Sequence, residues 1–477
     1  MRSLPFLLCC FVLAVQLNAQ SNMEQQGQTV WNDFIKTGKK ANFLYVENIS
    51  ISGNKKTKEQ IVLRELSFIK DGLIPKKDLA IQLKQSREQL MNTTLFVDVQ
   101  IIPIATDSTV SIQINLKERW YLFPLPYFRL IDRNFNQWWV QQQRSLERVN
   151  YGIKFIQNNT TGHNDNLDIW LISGYTQQVT LRYDVPLFGK KLNQGFNIGL
   201  SHGSQKEINI STANDKQQFF KNDQSFIKKQ TKIDFTYSYR PGLKKWHSLR
   251  ISYNNESIAD TVFKMNPTYF SNNTTQFKYI DFNYRFKYYN ADANAYPTNG
   301  FLFEGNVYKR GLTQSASLWM LHSRAIYAVP IAKKAFLHFE GLAQLKFPSN
   351  NAFSDQRLFG YGHFQMRGLE YNVIDGMNGA MLKSSIHQHL VKFEIKNPFP
   401  SKTHDRIPFR IYLKTYTDLG YASIANPVPT NTLNNRLLKT WGFGIDIVSI
   451  YDFVFKIEYS FNQLNNHGLY LQSRNDF

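Results

Sequence analysis

The sequence IDFNYRFKY, from Ile280 to Tyr288, places apolar and polar side chains at strictly alternating positions. Alternate side chains of a β-strand point to opposite faces, so this stretch has one aromatic face and one charged face. The same pattern recurs in IDFTYSYR, from Ile233 to Arg240, and in FVFKIEYSF, from Phe453 to Phe461. Such repetition indicates a large antiparallel sheet with one apolar face and one wet face.

The composition agrees with a sheet that meets lipid. Aromatic residues make up 15% of the 477 residues, including 37 Phe and 25 Tyr. No stretch after residue 20 has eighteen consecutive apolar residues, so the sequence predicts no helical membrane span there. A barrel with aromatic side chains toward lipid and charged side chains toward its lumen accounts for both faces. Alternating runs separated by turns such as Pro241-Gly242 predict a transmembrane antiparallel β-barrel of about 16 strands in residues 120–477.

The first 19 residues have the pattern of a secretory signal peptide. Arg2 supplies a positive charge, residues 4–17 are apolar, and Ala19 is a small residue at the expected cleavage point. A membrane anchor is the alternative, although the stretch is short for a span of about 20 residues. Residues 20–41 are polar and are predicted to form a flexible linker.

Cysteine usage and charge limit the kinds of site and partner that we expect for this chain. Cys9 and Cys10 are the two cysteines of the chain, and both lie in the predicted signal peptide. The mature chain is therefore expected to use no disulfide, thiolate metal site or cysteine nucleophile. The net charge is +20, but Lys and Arg are scattered and alternate with aromatic residues. Lumen walls, loops and lipid head groups account for this distribution better than a nucleic-acid partner does.

Residues 42–119 have a different pattern from the rest of the chain. A first strand is predicted before the turn Gly53-Asn54. Thr57 is predicted as the N-cap of a first helix, with Gln60 as its capping-box partner, and Pro75 as the start of a second helix. Two strands follow, near 96–101 and 110–116. The order strand, helix, helix, strand, strand predicts a small α+β domain.

Two resemblances now point to one family. The domain at 42–119 resembles a POTRA module, the periplasmic domain attached to outer-membrane assembly factors. The segment RLFGYGHFQMRGLEY, from Arg357 to Tyr371, looks like the Gly-rich Arg-Gly-aromatic motif in the long sixth extracellular loop of BamA/TamA proteins. By strand count it falls between the eleventh and twelfth strands, where that family carries it. TYTDLG at 415–420 and the turn at 292–300 resemble two further family motifs.

The resemblance implies that the long loop is held inside the barrel. Arg367 would pair with Asp418 on the barrel wall, and Gly368 would let the backbones approach closely. Gly360 belongs to the same motif. In the family a Glu on the twelfth strand also holds the arginine, but an ungapped alignment places His387 there. The second partner of Arg367 therefore stays open, and a solvated loop arginine is the alternative.

The resemblance also places a seam between the first and last strands of the barrel. The C-terminal segment alternates and ends in an aromatic residue, similar to the signal by which outer-membrane barrels are recognised by their assembly machinery. Pro124 and Pro126 remove backbone donors, which is expected to weaken the first strand. The predicted residues of the seam and terminal signal are Tyr121, Leu469, Leu471 and Phe477.

No motif predicts catalysis. His387 and His389 are two residues apart and share a strand face, but the sequence supplies no third ligand for a metal ion. The chain has no nucleophile elbow, phosphate-binding loop or zinc-protease motif. We therefore expect neither a metal, nor another cofactor, nor an enzymatic activity.

These observations lead to a functional hypothesis. The chain is expected to be a non-enzymatic insertase or translocase of β-barrel clients, located in the bacterial outer membrane with its front domain in the periplasm. Its expected partners are outer-membrane lipids, unfolded barrel or secreted clients, and periplasmic or lipoprotein accessory factors. A two-partner-type polypeptide secretion transporter and a passive outer-membrane channel remain as alternatives.

Overall fold

The computed structural model describes residues 42–106, 108–130, 137–141, 143–189, 191–222, 224–313, 316–349, 352–362, 364–396, 406–449 and 453–474. The predicted signal peptide at 1–19, the predicted linker at 20–41 and Phe477 lie outside these residues. The described chain divides into two compact units. The first comprises the residues up to Asn54, Glu65–Met91 and Asp98–Lys117, and the second comprises Lys55–Arg64, Asn92–Val97 and the residues from Glu118 onward.

The front of the chain forms a small α+β fold, as the sequence predicted. Its elements are β1 (Phe43–Ser52), α1 (Glu59–Arg64), β2 (Leu73–Pro75), α2 (Leu79–Asn92), β3 (Phe96–Ala105) and β4 (Thr109–Glu118). The short strand β2 was not predicted. The strands have the order β2-β1-β4-β3, with β1 parallel to β4 and antiparallel to β2. Val110, Ile112 and Ile114 are buried because they share one face of β4.

Two local predictions in this region have different outcomes. Pro75 pairs with Phe43 as the last residue of β2, and it is also the N-cap of a 3-10 helix, Lys76–Asp78, that leads directly into α2. The second helical segment therefore begins directly after this proline, one residue later than predicted. The prediction for Thr57 is wrong, because its hydroxyl donates to Oε1 of Glu118 at 2.6 Å and α1 begins two residues later. For Thr57, a partner distant in sequence replaces the local signal.

Sixteen strands form one antiparallel sheet, which confirms the predicted number. They are β5 (Leu122–Leu130), β6 (Val149–Gln157), β7 (Asn166–Gly174), β8 (Thr176–Phe188), β9 (Gln194–Gln205), β12 (Lys228–Tyr239), β13 (Lys245–Ile258), β14 (Gln276–Ala291), β15 (Gly300–Arg310), β16 (Leu318–Ala332), β17 (Ala335–Phe347), β20 (Asn378–Lys396), β21 (Arg406–Ser423), β22 (Leu437–Val448), β23 (Val454–Asn462) and β24 (His467–Arg474). The remaining strands are short and lie in loops: β10 (Glu207–Ala213), β11 (Lys216–Lys221), β18 (Arg357–Phe359) and β19 (Ile374–Asp375). Two short helices, α3 (Asp260–Met265) and α4 (Phe353–Gln356), also lie in loops.

The two faces of the large sheet differ as the alternation predicted. On β21, Lys414 and Asp418 are buried, whereas Leu413 and Leu419 are 43% and 40% exposed. Large apolar side chains are also exposed along the other strands, and buried acidic and basic side chains alternate with them. Apolar side chains therefore form the outer face and charged side chains line the lumen, the arrangement of a membrane β-barrel. None of the described helices is long and apolar enough to cross a membrane.

The first and last strands are the two ends of the sheet order. Among the residues that the structure describes, no strand ladder joins β5 to β24. We call the interval between these two strands the seam. We call the end of the sheet at which β5 begins the near end, and the opposite end the far end. Because consecutive strands are antiparallel, the connection from β17 to β20 lies at the far end.

Candidate functional site: a loop held in the barrel lumen

The long loop between β17 and β20 joins the eleventh and twelfth strands of the sheet, where the sequence placed it. It is held by an apolar cluster rather than left in solvent. The loop residues of this cluster pack against Leu342 and Met381 of the flanking strands and Leu438 of β22. They are Leu358, Phe359, Phe364, Met366, Leu369 and Ile374. Burying these side chains offsets the entropy lost when so long a loop is ordered.

Arg367 reaches Asp418 from this loop. Its Nε lies 2.9 Å from Oδ2, its backbone N–H donates to the same oxygen at 3.2 Å, and a terminal guanidinium nitrogen donates to Oδ1. The Asp418 side chain is fully buried, and the guanidinium carbon lies 3.9 Å from the ring centre of Tyr416. We call the Arg367–Asp418 pair the lock. Fork-shaped contact with a buried carboxylate fixes the direction of the arginine as well as its charge.

Glycine is required next to the lock. Gly368 has a φ of +81°, and a Cβ there would lie 3.1 Å from the carbonyl oxygen of Phe461. Its own carbonyl accepts a hydrogen bond from Nδ2 of Asn462 at 2.6 Å. Gly360, with a φ of +83°, donates its N–H to the carbonyl of Phe364 at 2.6 Å. These conformations are easy for glycine and strained for other residues.

His387 lies on the lumen wall but not on the lock. Its two ring nitrogens form hydrogen bonds with Tyr296 at 2.9 Å and with Ser385 at 2.8 Å. Glu394, a glutamate further along the same strand, forms an exposed ion pair with Arg406 at 3.6 Å. The second contact of Arg367 is therefore an aromatic ring, Tyr416, which the ungapped alignment did not indicate.

A cavity of about 490 Å³ lies beside the lock. Arg367 and Glu370 of the loop line it on one side, and Tyr296, from the turn between β14 and β15, lines it on another. Its wall carries paired charges, including Lys414, which lies 2.6 Å from Glu458. The lining also includes Phe128, Arg129 and Leu130 of β5 and Leu471 and Gln472 of β24. The cavity therefore reaches the seam.

Comparison with known proteins now identifies the architecture. Residues 44–119 match the family model POTRA, surface antigen variable number repeat. The fold is similar to that of BamA from Haemophilus ducreyi lacking POTRA domains 1–3, with a TM-score of 0.50 and 14% identity over 90% of this chain and 83% of that chain. Residues 44–119 therefore form a POTRA module, and the chain has the fold of a POTRA module followed by a β-barrel.

A second solved structure has the same fold. CdiB from Escherichia coli has a TM-score of 0.53 and 11% identity over 90% of this chain and 75% of that chain. A comparison with curated proteins finds no match. The POTRA-plus-barrel architecture expected from the sequence is confirmed, and at these identities the likeness concerns the fold alone.

The POTRA-plus-barrel chain holds its loop at a second point that the sequence analysis missed. Arg310, at the far end of β15, donates to both carboxylate oxygens of Asp355 in α4, at 2.5 and 2.7 Å. We call the Arg310–Asp355 pair the anchor. Its side chains are only 7% and 2% exposed, and the ring of Phe277 lies 5.0 Å from the guanidinium carbon. Asp355 is only two residues before the motif at 357–371, but nothing local in the sequence points to Arg310.

Glu370 connects the loop to the last strand. Gln472 of β24 donates to its Oε1 at 3.4 Å, and the rings of Tyr371 and Tyr470 lie 5.8 Å apart. Burial, together with the nearby charge of Glu458, raises the pKa of Glu370 to about 8. The carboxyl group is therefore largely protonated at neutral pH, which lets it lie beside other acidic groups.

The predicted seam residues have different surroundings. Leu469 and Leu471 lie on β24, with Leu469 51% exposed on the outer face. Tyr121 lies just before β5, and its carbonyl accepts a hydrogen bond from the N–H of Asn158 at 2.7 Å. Within the described ranges, no group of three or more His, Cys, Asp or Glu side chains has the geometry of a metal site.

Proposed function

We propose that this chain is an outer-membrane insertase that helps β-barrel clients fold into the membrane. The observation that carries the proposal is the seam. The first and last strands end the sheet order, a charged cavity reaches both, and the locked loop contacts β24 through Gln472. A sheet edge beside a cavity offers a client strand backbone partners and a place for its polar side chains.

The POTRA module is proposed to receive the client in the periplasm. Its sheet order leaves β2 and β3 at the edges, and β2 has only three residues. β3 is the longer edge, and Ile102 and Ile104 on it are 43% and 60% exposed. An extended client segment can add to such an edge through backbone hydrogen bonds, which tolerate many sequences. Pro103 removes one donor from β3 and limits unspecific pairing there.

The lock is proposed to set the state of the barrel. Arg367 is attached to the loop and Asp418 to the wall, so the pair holds the apolar loop cluster inside the lumen. Outer-membrane lipids, unfolded clients and accessory factors are the proposed partners. The mechanism uses strand pairing and burial, and it requires no cofactor and no covalent step.

The rival functions predict different measurements. BamA is an assembly factor and CdiB belongs to two-partner secretion, and the shared fold fits both. A secretion transporter would move a polypeptide across the bilayer without inserting it. A passive channel would conduct ions whether or not the lock is intact.

The test uses the mature chain in liposomes and an unfolded barrel client. The rate at which the client becomes protected from protease is compared for wild type, Arg367→Ala and a variant lacking residues 42–119. Arg406→Ala is the matched control, because Arg406 is 69% exposed and pairs only weakly with Glu394. We expect wild type and the control to insert the client about tenfold or more faster than Arg367→Ala, which loses one buried charge pair. The variant lacking residues 42–119 should also be slow, because it lacks the edge proposed to receive the client.

Three outcomes would contradict the proposal. Insertion no faster than in empty liposomes, together with ion conductance, would indicate a channel. Appearance of a secreted polypeptide inside the vesicles without insertion would indicate a transporter. Unchanged insertion in Arg367→Ala would remove the lock from the mechanism.

A further inference from the structure

The direction of each backbone group of β5 can be read from the ladder. In an antiparallel pair, alternate residues point both N–H and C=O toward one neighbour, and the residues between them point away. The N–H of Asn158 donates to the carbonyl of Tyr121, so Tyr121 points toward β6. The ladder continues from Leu122 to Leu130 without a register shift. Odd-numbered residues of β5 therefore bond β6, and even-numbered residues point toward the seam.

A hydrogen bond on the other side of β6 agrees with this assignment. The N–H of Tyr175 donates to the carbonyl of Val149 at 3.1 Å, so Val149 points toward β7. Val149 is the residue opposite Leu130 in the β5–β6 ladder. Opposite residues either both point toward each other or both point away. Leu130 consequently points away from β6, and Pro124 and Pro126 have the same parity.

The two prolines therefore lack the N–H groups that would face the seam. The ladder between β5 and β6 loses nothing, which corrects the expectation that these prolines weaken the pairing of the first strand. What they change is the free edge of β5. Between Leu122 and Phe128, this edge keeps the carbonyl oxygens of Pro124 and Pro126 as acceptors, but it has no N–H donor at either position.

The prolines also lie on the lipid side. Pro126 is opposite Ile153 and Phe128 is opposite Tyr151, and these two β6 residues are 58% and 56% exposed. Opposite residues share a face of the sheet, so the even-numbered residues of β5 face outward. An unpaired N–H next to hydrocarbon is costly because no water is there to accept its hydrogen bond. Proline at both positions removes that cost from an open edge.

We propose that Pro124 and Pro126 keep the near half of the seam open, so that β5 presents an edge that accepts but does not donate hydrogen bonds there. A strand that pairs with this half, β24 or any other, leaves two of its carbonyls without donors. Continuous pairing is available only toward the far end, where Phe128 and Leu130 keep their N–H groups. The partner that fits is an extended strand that pairs first at the far end of β5.

The opposite side of the seam has no such gap. The N–H of Asn462 donates to the carbonyl of Asn466, which sets the parity of the β23–β24 hairpin. Leu471 and Ser473 therefore point their backbone groups toward the seam, and neither is proline. The missing N–H donors therefore lie on β5 and not on β24. The expected effect on client insertion rests on the proposed function, whereas the open near half of the seam is inferred from the strand ladders alone.

The experiment compares wild type with the double substitution Pro124→Ala and Pro126→Ala, in the mature chain in lipid nanodiscs without client. Residue-resolved hydrogen exchange follows the amides of Leu471 and Ser473 and the two new amides at positions 124 and 126. In wild type we expect the amides of Leu471 and Ser473 to exchange rapidly. In the double variant we expect all four amides to exchange about tenfold or more slowly, because the seam can then close. Pro330→Ala, on the tenth strand, is the matched control and should leave Leu471 and Ser473 unchanged.

The outcomes separate the two hypotheses. Slow exchange of Leu471 and Ser473 in wild type, or fast exchange of the new amides in a folded double variant, would overturn the inference. Correct folding is checked separately by the heat-dependent shift of the barrel on gels. Closure of the seam with unchanged client insertion would support the inference and contradict the proposed function. Closure with insertion slowed severalfold would support both.

Discussion

The lock and the anchor hold the same loop with the same chemistry in different surroundings. Each is a fork-shaped contact between an arginine and a buried carboxylate. In the lock the arginine is on the loop and borders the cavity, and the carboxylate is on a strand. In the anchor the arginine is on a strand and is enclosed by the rings of Phe277 and Tyr279. Only the lock lies beside the cavity that reaches the seam.

This difference predicts which of the two arginines can move after its carboxylate partner is removed. If Asp418 is lost, Arg367 can move with its loop toward water in the cavity. If Asp355 is lost, Arg310 stays on a strand, in an aromatic cluster, with an unpaired charge. A buried charge without a partner is far more destabilising than a pair that is absent altogether.

The largest predicted effect therefore falls on the anchor. Asp355→Ala should lower stability by about 3–5 kcal/mol, and Asp418→Ala by roughly half as much, because only the second leaves a movable charge. Urea-induced unfolding midpoints in lipid, with proteolysis of the loop as a local readout, measure the difference. The combined change Arg310→Met and Asp355→Leu should be close to wild type in stability. If Asp355→Ala and Asp418→Ala lower the free energy of unfolding equally, the surroundings of the remaining arginine do not determine the cost.

The next effect concerns the backbone beside the lock. Gly368→Ala should destabilise the docked loop by about 1–3 kcal/mol, because it combines a left-handed φ with a close carbonyl. The expected signs are faster loop proteolysis and a lower unfolding midpoint. Gly341→Ala, on β17, is the matched control, since a Cβ there meets no atom within 4 Å. If loop proteolysis and the unfolding midpoint of Gly368→Ala equal those of wild type, the backbone can shift there without a loss of stability.

The last predicted effect is a dependence on pH. The folded pKa of Glu370 is raised to about 8, above its unfolded value, so folding favours the protonated form. Its stabilising effect is complete below the unfolded pKa, is lost as pH rises toward 8, and changes no further above that. We expect loop docking to weaken progressively between pH 5 and pH 8, as the carboxyl group of Glu370 loses its proton. Glu370→Gln should flatten this profile in hydrogen exchange of the loop, and a profile identical to wild type would assign the dependence to another group.

The sequence predicted the site unevenly. Arg367, Gly368 and Asp418 were indicated by a resemblance, and the structure brings them together. His387 was placed next to them by an ungapped alignment, but its hydrogen bonds go to Tyr296 and Ser385. The anchor was not indicated, because it depends on which strands and loops become neighbours. Tyr416 lies two residues before Asp418 on the same face of β21, so the alternation along that strand could have indicated it. Thr57 was misassigned as a helix cap since its partner, Glu118, is also distant in sequence.

The sequence by itself determined the alternation of apolar and polar residues along the strands and the number of strands. It also determined which residues form the apolar face and which form the charged face. These properties are local, because side-chain direction alternates with every residue and each hairpin joins strands that follow each other in the chain. The tertiary structure alone decided what fills the lumen and which way the edge of β5 faces. The sequence shows that residues 124 and 126 are prolines, but only the register with β6 tells that the missing donors belong to the seam. Register and loop docking depend on contacts between residues far apart in the chain, and no local pattern records them.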